Sequence, residues 1–240
     1  MKKTKLFMVL VLVPIILAFI YEEENTGSKA ETKSLSGNTV AFVKKIVKDV
    51  AYRKTSEQSD WEFAKTGTTL EDGGEVKTGE KSLALVLFTD GSGLLRVREN
   101  SILHVYGNKK EKAMDKNTYI QKGLIGFEVN KQSPEEEFKF TTPTVVASIR
   151  GTEGFIQYSE DSTFTMYLDK GSAGLYGSQS CDSVSAGSTI VISSKGRCIY
   201  RNQDPNDKNT YNEVNKTVIK KVKIKTNKGE VNIEYYGPGN

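Results

Sequence analysis

The chain has 240 residues, of which 27% are charged and 37% hydrophobic, and its formal net charge is +4. This composition excludes a disordered chain and a protein that crosses a membrane many times. Three lysines near the N-terminus supply most of the positive charge, so nucleic acid, which requires a concentrated basic surface, is not an expected partner.

The first element, residues 1–21, has the pattern of a signal peptide or of an uncleaved membrane anchor. Lys2, Lys3 and Lys5 precede an apolar run over residues 6–21, and glutamates follow it. A positive segment before an apolar run is typical of exported proteins, and lysines before the run keep the N-terminus in the cytoplasm. The pattern predicts an N-terminal apolar helix. It also predicts an extracytoplasmic location, in the periplasm or cell envelope, with an inner-membrane anchor if residues 6–21 are not cleaved.

Residues 22–37 are polar and begin with glutamates, which is typical of a flexible tether. Residues 38–201 are then predicted to form a single β domain. Val40–Val50 fits either helical spacing or two strands, and two strands are favoured because Val, Ile and Tyr dominate. Short β-rich runs follow at spacings of roughly 8–12 residues, separated by Gly, Asp, Asn and Ser, as in a sandwich, a barrel or an irregular solenoid.

Two further segments complete the predicted organisation. Residues 202–216 are rich in Asn and Asp and are interpreted as a polar linker. Residues 217–240 carry two alternating runs on either side of Asn227-Lys228-Gly229, which predicts a β-hairpin. In that hairpin Val222 and Ile224 are expected to face Val231 and Ile233.

The two cysteines, Cys181 and Cys198, agree with an oxidising compartment, where a disulfide is stable. Two buried free thiols are the alternative. A structural zinc site needs four ligands, whereas the chain has two cysteines and one histidine. No metal and no cofactor are therefore expected.

Several short motifs occur in a fixed order along the chain. A strand-like run, residues 83–88, leads to Asp90-Gly91-Ser92, and Thr142-Pro143 is followed by Arg150-Gly151-Thr152. Trp61 lies upstream of them. Taken together, over about residues 40–195, this ordered set resembles the FecR domain family.

The resemblance implies an all-β periplasmic module, solenoid-like or sandwich-like, that takes part in signal transduction. Only five residues precede the apolar run, so the chain is expected to lack the cytoplasmic anti-sigma segment of well-known family members. Gly154 stands where the family often has an aromatic residue, and Phe155 is expected to replace that residue through a one-residue bulge.

The motif residues are predicted to be mainly structural. Asp and Ser side chains stabilise turns and Gly permits a positive φ, which accounts for Asp90-Gly91-Ser92 and for the turn at Arg150-Gly151-Thr152. Arg150 and Trp61 are also candidate ligand contacts. If Arg150 faces inward, it requires a carboxylate partner, for which Asp90 and Glu153 are the candidates.

The expected function is non-enzymatic binding or signalling, with recognition of an envelope or membrane protein. The alternative is a glycan- or peptidoglycan-binding envelope protein without a signalling role, using Trp61 and exposed tyrosines. Catalysis is not expected, because the sole histidine, His104, has no accompanying Gly-x-Ser-x-Gly nucleophile motif. The candidate tyrosines are Tyr106, Tyr119, Tyr158 and Tyr176.

Overall fold

The computed structural model describes residues 38–110, 113–177, 181–202, 204–215, 217–227 and 229–238. The predicted N-terminal apolar helix and the tether over residues 22–37 lie outside these residues. Within the described ranges, no helix is both long enough and apolar enough to cross a membrane.

The described part of the chain is built mainly from strands, in agreement with the predicted all-β class. Val40–Val50 forms parts of two strands, β1 and β2, rather than a helix. The strands of the domain are β1 Thr39–Val47, β2 Val50–Arg53, β3 Glu62–Phe63, β4 Thr69–Glu71, β5 Gly74–Thr78, β6 Leu83–Phe88, β7 Gly93–Val97, β8 Ile102–Lys109, β9 Met114–Val129, β10 Phe138–Thr141, β11 Val146–Ile149, β12 Thr152–Tyr158, β13 Phe164–Lys170, β14 Ser172–Tyr176, β15 Ser183–Ser185, β16 Ser188–Ile192 and β17 Cys198–Asn202.

These strands form two sheets. Sheet A has the order β4-β1-β6-β7-β9-β12-β13-β16-β17. Sheet B has the order β3-β2-β5-β8-β9-β10-β11-β14-β15. Strand β9 belongs to both: its first part pairs with β8, and its part from Gly123 onward pairs with β12. The β9–β10 pairing is parallel and the others are antiparallel.

One hydrophobic core lies between the two sheets. Along each strand, alternate side chains point into it, as in β11, where Ala147 and Ile149 are buried and Ser148 is not. Aromatic rings join the sheets: the centroids of Phe88 and Phe138 are 5.1 Å apart, and those of Phe127 and Phe140 are 4.8 Å apart. This shared core makes the arrangement sandwich-like, one of the two forms expected from the sequence.

The interpretation of residues 202–216 as a linker is wrong, because Pro205–Asn215 forms a helix, α1. Its buried residues are Asp207, Tyr211, Val214 and Asn215, at positions i, i+4, i+7 and i+8 of one helical face. Two of these four residues are polar, so the hydrophobic pattern of the sequence does not reveal the buried face of the helix. The sequence does carry a start signal: the Asp204 carboxylate accepts the Asn206 N–H at 2.9 Å, and Pro205 occupies the first helical position.

The C-terminal hairpin follows α1 as β18, Thr217–Thr226, and β19, Gly229–Pro238. Its register places Val222 opposite Ile233 and Ile224 opposite Val231, as the alternating sequence predicts.

Cys181 and Cys198 are joined by a disulfide with their Cα atoms 6.0 Å apart. Cys198 begins β17, the last strand of sheet A, and Cys181 shortly precedes β15, the last strand of sheet B. The bridge therefore links β17, at the edge of sheet A, to the segment just before β15, at the edge of sheet B.

Candidate binding surface

The Asp90-Gly91-Ser92 motif forms the tight turn between β6 and β7. Asp90 Oδ1 accepts hydrogen bonds from the Ser92 N–H at 3.0 Å and the Ser92 hydroxyl at 2.7 Å. Gly91 has a φ of +72°, a conformation that side-chain-bearing residues rarely adopt. Both observations agree with the structural role expected for this motif.

Beneath this turn lies a buried lysine that the sequence analysis missed. The Lys116 side chain is fully buried, and its Nζ lies 2.5 Å from Asp90 Oδ2 and 3.8 Å from Glu136 Oε1. Burial alone raises the pKa of the Asp90 carboxyl, but the hydrogen bonds from Lys116 and Ser92 and the Lys116 charge outweigh it, so the pKa lies below its ordinary value. Since Lys116 belongs to sheet B and Asp90 to a turn of sheet A, the ion pair joins the two sheets.

The Arg150-Gly151-Thr152 motif forms the corner at which the chain passes from β11 in sheet B to β12 in sheet A. Gly151 has a φ of +67°, and Thr152 is buried. The Arg150 side chain is exposed rather than inward, and its Nε donates to the Gln132 carbonyl at 3.0 Å. The two carboxylates considered as its partners are engaged elsewhere: Asp90 with Lys116, and Glu153 with Lys170.

Residues 130–132 connect these two motifs. The Asn130 N–H donates to the Ser92 carbonyl at 2.8 Å, and the Gln132 side chain donates to the Asn130 carbonyl at 2.8 Å. Because Arg150 donates in turn to Gln132, the two motifs form a continuous hydrogen-bonded chain along one edge of the domain. The arrangement braces the corners of the fold.

Thr142-Pro143 lies away from that edge, in the turn between β10 and β11. Thr142 Oγ1 accepts the Val145 N–H at 3.0 Å, and the Thr142 N–H donates to the Val145 carbonyl at 2.8 Å. Pro143 is exposed. These contacts close a local turn and give this motif a structural role.

Trp61 lies on the outer face of sheet B and is half-buried there. The Arg53 guanidinium lies 4.5 Å from the centroid of its ring, and Lys77 Nζ lies 5.3 Å from it. Both distances are within the range of cation–π attraction. Phe63, two residues further along, is 82% exposed. The surface therefore combines accessible apolar area with positive charge.

The outer face of sheet B continues from Trp61 as a row of polar and aromatic side chains. Glu75 Oε1 lies 3.5 Å from Arg53 NH1 and 3.7 Å from His104 Nδ1. Register then places His104 opposite Tyr119 on the next strand, with the ring centroids 5.3 Å apart. His104 is therefore half-buried in the middle of the sheet, flanked by rings.

The remaining predicted tyrosines are divided between core and surface. Tyr158 is buried in the core, with 5% exposure, and Tyr176 is 64% exposed on the outer strand β14. Tyr106 is half-buried, with its ring nearly parallel to that of His104. The structure thus brings Trp61, Tyr106 and Tyr119 to one face and separates Tyr158 from them.

On the outer face of sheet A, α1 packs over the three central strands β9, β12 and β13. Tyr211 packs with Phe155 and Tyr167 in a second apolar cluster, and its hydroxyl donates to Glu153. Burial, followed by this contact with Glu153, raises the pKa of Tyr211, so the hydroxyl stays protonated. A Cβ on Gly126 would lie 2.4 Å from Val214 Cγ1. Glycine therefore permits the close approach of the helix.

The departure from the family pattern at Gly154 belongs to the same surface. The register of β12 against β13 shifts between Glu153 and Gly154, but the extra residue is Asp169 of β13. Strand β12 itself pairs with β9 without interruption, so the one-residue bulge expected at Gly154 is not found there. By regular alternation along β12, Ile156 faces the main core and Phe155 packs beneath α1. Asn215 Nδ2 donates to the Gly154 carbonyl at 2.7 Å. Sequence reasoning foresaw neither the position of the bulge nor the helix that covers Phe155.

Two kinds of comparison with known proteins give matches. Residues 74–173 match the sequence model of the family FecR, described as FecR protein. Two crystal structures of a candidate anti-sigma factor from Parabacteroides distasonis are similar, each with a TM-score of 0.49 and 14% sequence identity over 57% of this chain. The chain covers 63% of the length of that protein. A search among curated proteins gives no match.

Proposed function

Because residues 74–173 are a FecR domain, we propose that the chain is a non-enzymatic, extracytoplasmic binding and signalling module. Its partner in this proposal is an envelope or membrane protein, bound on the outer face of sheet B. The chain reaches that partner as an exported protein, with residues 6–21 as an inner-membrane anchor if they are not cleaved.

The observation that carries the proposal is the contrast between the two outer faces. Helix α1 covers the centre of sheet A, at β9, β12 and β13, whereas sheet B presents Phe63, Trp61 and Arg53 at the surface. Tryptophan, tyrosine and arginine are the residues that most often dominate the binding energy of protein interfaces.

The disulfide and the leader sequence support the proposed location. Disulfides persist in oxidising compartments, and the Cys181–Cys198 bridge agrees with export. The lysines before the apolar run orient the remainder of the chain toward the outside.

We propose binding rather than catalysis because the contacts of the His104 side chain are structural. Its Nδ1 faces the buried Glu75, which also pairs with Arg53, and its ring packs edge-on against Tyr119. These contacts hold the imidazole within the aromatic row of the sheet.

The test is capture of the partner from intact cells. Full-length tagged protein is treated with a membrane-impermeant crosslinker, and the captured material is analysed for both protein and glycan. The proposal predicts one discrete envelope or membrane protein, and predicts that Phe63→Ala reduces its capture. Ile199→Ala is the matched control, since Ile199 is 51% exposed on β17 of sheet A.

Two results would count against the proposal. Recovery of cell-wall glycan without a protein partner would favour the alternative, an envelope protein without a signalling role. Equal loss of capture in Phe63→Ala and Ile199→Ala would show that the outer face of sheet B is not the contact surface.

A further inference from the structure

An open cleft lies on the outer face of sheet B, about three strands away from Trp61. It has a volume of about 310 Å³ and is formed by β8, β9 and β10 together with the turn at Asp72. Its lining includes Tyr106, Asn117, Asp115 and Lys139. This volume is at the lower end of the range for small-molecule sites, about 300–1,000 Å³, so it suits one or two small rings.

Most of the charged side chains that line the cleft form ion pairs within the protein. Lys139 Nζ lies 2.7 Å from Glu137 Oε2, and Asp115 Oδ2 lies 2.7 Å from Lys110 Nζ. Asp72 Oδ1 accepts the Gly107 N–H at 3.0 Å. Phosphate and other anions are recognised by surplus Arg and Lys, and metal cations by converging carboxylates. The ion pairs leave no surplus of Lys or Arg for an anion, and the Asp72 carboxylate disfavours an anion further. An uncharged ligand with many hydroxyl groups therefore fits the cleft best.

The hydrogen-bonding groups of the cleft have fixed roles. Asn117 Oδ1 accepts the Thr141 hydroxyl at 2.8 Å, which leaves the amide nitrogen as the donor for a ligand. Burial and the charges of Asp72 and Glu75 raise the pKa of Tyr106, so its hydroxyl remains a donor at neutral pH. Paired carboxylates and ammonium groups retain further lone pairs and protons for hydroxyl groups.

One aromatic ring, that of Tyr106, lines the cleft. The Tyr106 ring is nearly parallel to that of His104, at an angle of 4° and a centroid distance of 6.4 Å. Such rings offer an apolar face beside polar groups, which suits a sugar, because a sugar ring has C–H faces and hydroxyl edges.

We propose that this cleft is a binding site for a neutral saccharide, with a sugar ring against Tyr106 and its hydroxyl groups bonded to Asn117 and Lys139. The site goes beyond the proposed protein contact around Trp61 and Phe63. A module with both sites would hold a partner protein and an envelope glycan on the same face.

The test uses the purified full-length chain in a detergent without a sugar headgroup. Saturation-transfer NMR measures binding of three neutral disaccharides, N,N′-diacetylchitobiose, maltose and lactose, with inorganic phosphate as the charged comparison. The variants are Tyr106→Ala and Asn117→Ala. Tyr200→Ala is the control, since Tyr200 is 47% exposed on the edge strand of sheet A. Circular dichroism establishes that each variant is folded, and Lys139→Ala replaces any variant that is not.

The proposal predicts saturable binding of at least one disaccharide. Each cleft variant should weaken that binding by about tenfold, the effect of losing one good hydrogen bond or ring contact, and Tyr200→Ala should leave it unchanged. The proposal is overturned if none of the three sugars binds, if phosphate binds more tightly, or if the cleft variants bind as the unmodified chain does. Loss of a protein partner in cells with retained sugar binding would overturn the proposed function alone.

Discussion

Breaking the Lys116–Asp90 pair should have different consequences depending on which partner is removed. In Asp90→Asn, the positive charge of Lys116 remains in a fully buried position, with Glu136 at 3.8 Å as its nearest carboxylate. In Lys116→Met, the remaining charge belongs to Asp90, whose side chain is 29% exposed and keeps its two bonds from Ser92. The same ion pair is lost, but different charges are left behind.

The magnitudes follow from this difference in burial. Leaving a buried charge without its partner costs about 3–5 kcal/mol, and the remaining Glu136 places Asp90→Asn near the lower end, at about 3 kcal/mol. A partly exposed carboxylate is solvated by water, so Lys116→Met should cost about 1 kcal/mol. The double variant removes both charges and should be more stable than Asp90→Asn alone.

Urea unfolding at neutral pH, followed by far-UV circular dichroism, measures these free energies. Asp161→Asn is a matched control, because Asp161 Oδ1 accepts the Thr163 N–H at 3.0 Å in an exposed turn of the same kind. It should change the free energy of unfolding by less than about 0.5 kcal/mol. Equal losses in Asp90→Asn and Lys116→Met, or a larger loss in Lys116→Met, would refute the reasoning.

Three further predictions concern pH, the disulfide and α1. The folded-state pKa of Asp90 is below its ordinary value. The ionised carboxylate therefore stabilises the fold fully above about pH 4, and this contribution is lost as the pH falls further. Urea midpoints measured from pH 6 downward should consequently fall less steeply for Asp90→Asn than for the unmodified chain. Reduction of the Cys181–Cys198 bridge, which spans 17 residues, should lower the free energy of unfolding by about 3 kcal/mol in the chain-entropy model. Thermal melts with and without dithiothreitol measure the change. An unchanged melting midpoint would contradict this prediction. Tyr211→Ala should lower the free energy of unfolding by about 3 kcal/mol, because Tyr211 is 1% exposed. Tyr200→Ala should lower it by less than about 1 kcal/mol. Equal losses of unfolding free energy in urea would show that α1 is not docked as described.

The β architecture could be predicted from the sequence because its signals are local. Alternation in runs such as residues 145–149 reports which side chains face the core, and the hairpin register follows from the two short alternating runs around Asn227. Turn chemistry at Asp90-Gly91-Ser92 is equally local, since its bonds join residues two apart.

The buried lysine and the docked helix could not be predicted in the same way. Lys116 occupies an inward position of β9 between buried neighbours, but the alternation rule gives no reason to place a charge in the core. Its partner, Asp90, lies 26 residues away. Helix α1 hides its face because Asp207 and Asn215 are polar, and their partners Thr189 and Gly154 are distant in sequence. The Asp204-Pro205 start signal was the available clue.

The cleft on sheet B depends on register, which the sequence leaves open. Tyr106 and Asn117 become neighbours because β8 and β9 pair in the observed alignment, and Lys139 joins them through the parallel pairing of β10 with β9. A shift of one residue in either pairing would move these side chains to the opposite face.

Every functional step in this account requires the domain to lie outside the cytoplasm, and the state of its two cysteines in cells tests that requirement most directly. Intact cells are quenched with acid, free thiols are capped with a maleimide that retards migration on a gel, and the full chain is compared with a form lacking residues 1–21. If the domain lies outside the cytoplasm, Cys181 and Cys198 of the full chain should be protected until a reductant is added, and the leaderless form should be labelled at once. Labelling of both cysteines in the full chain without reductant would contradict the proposed location, and with it the proposed role.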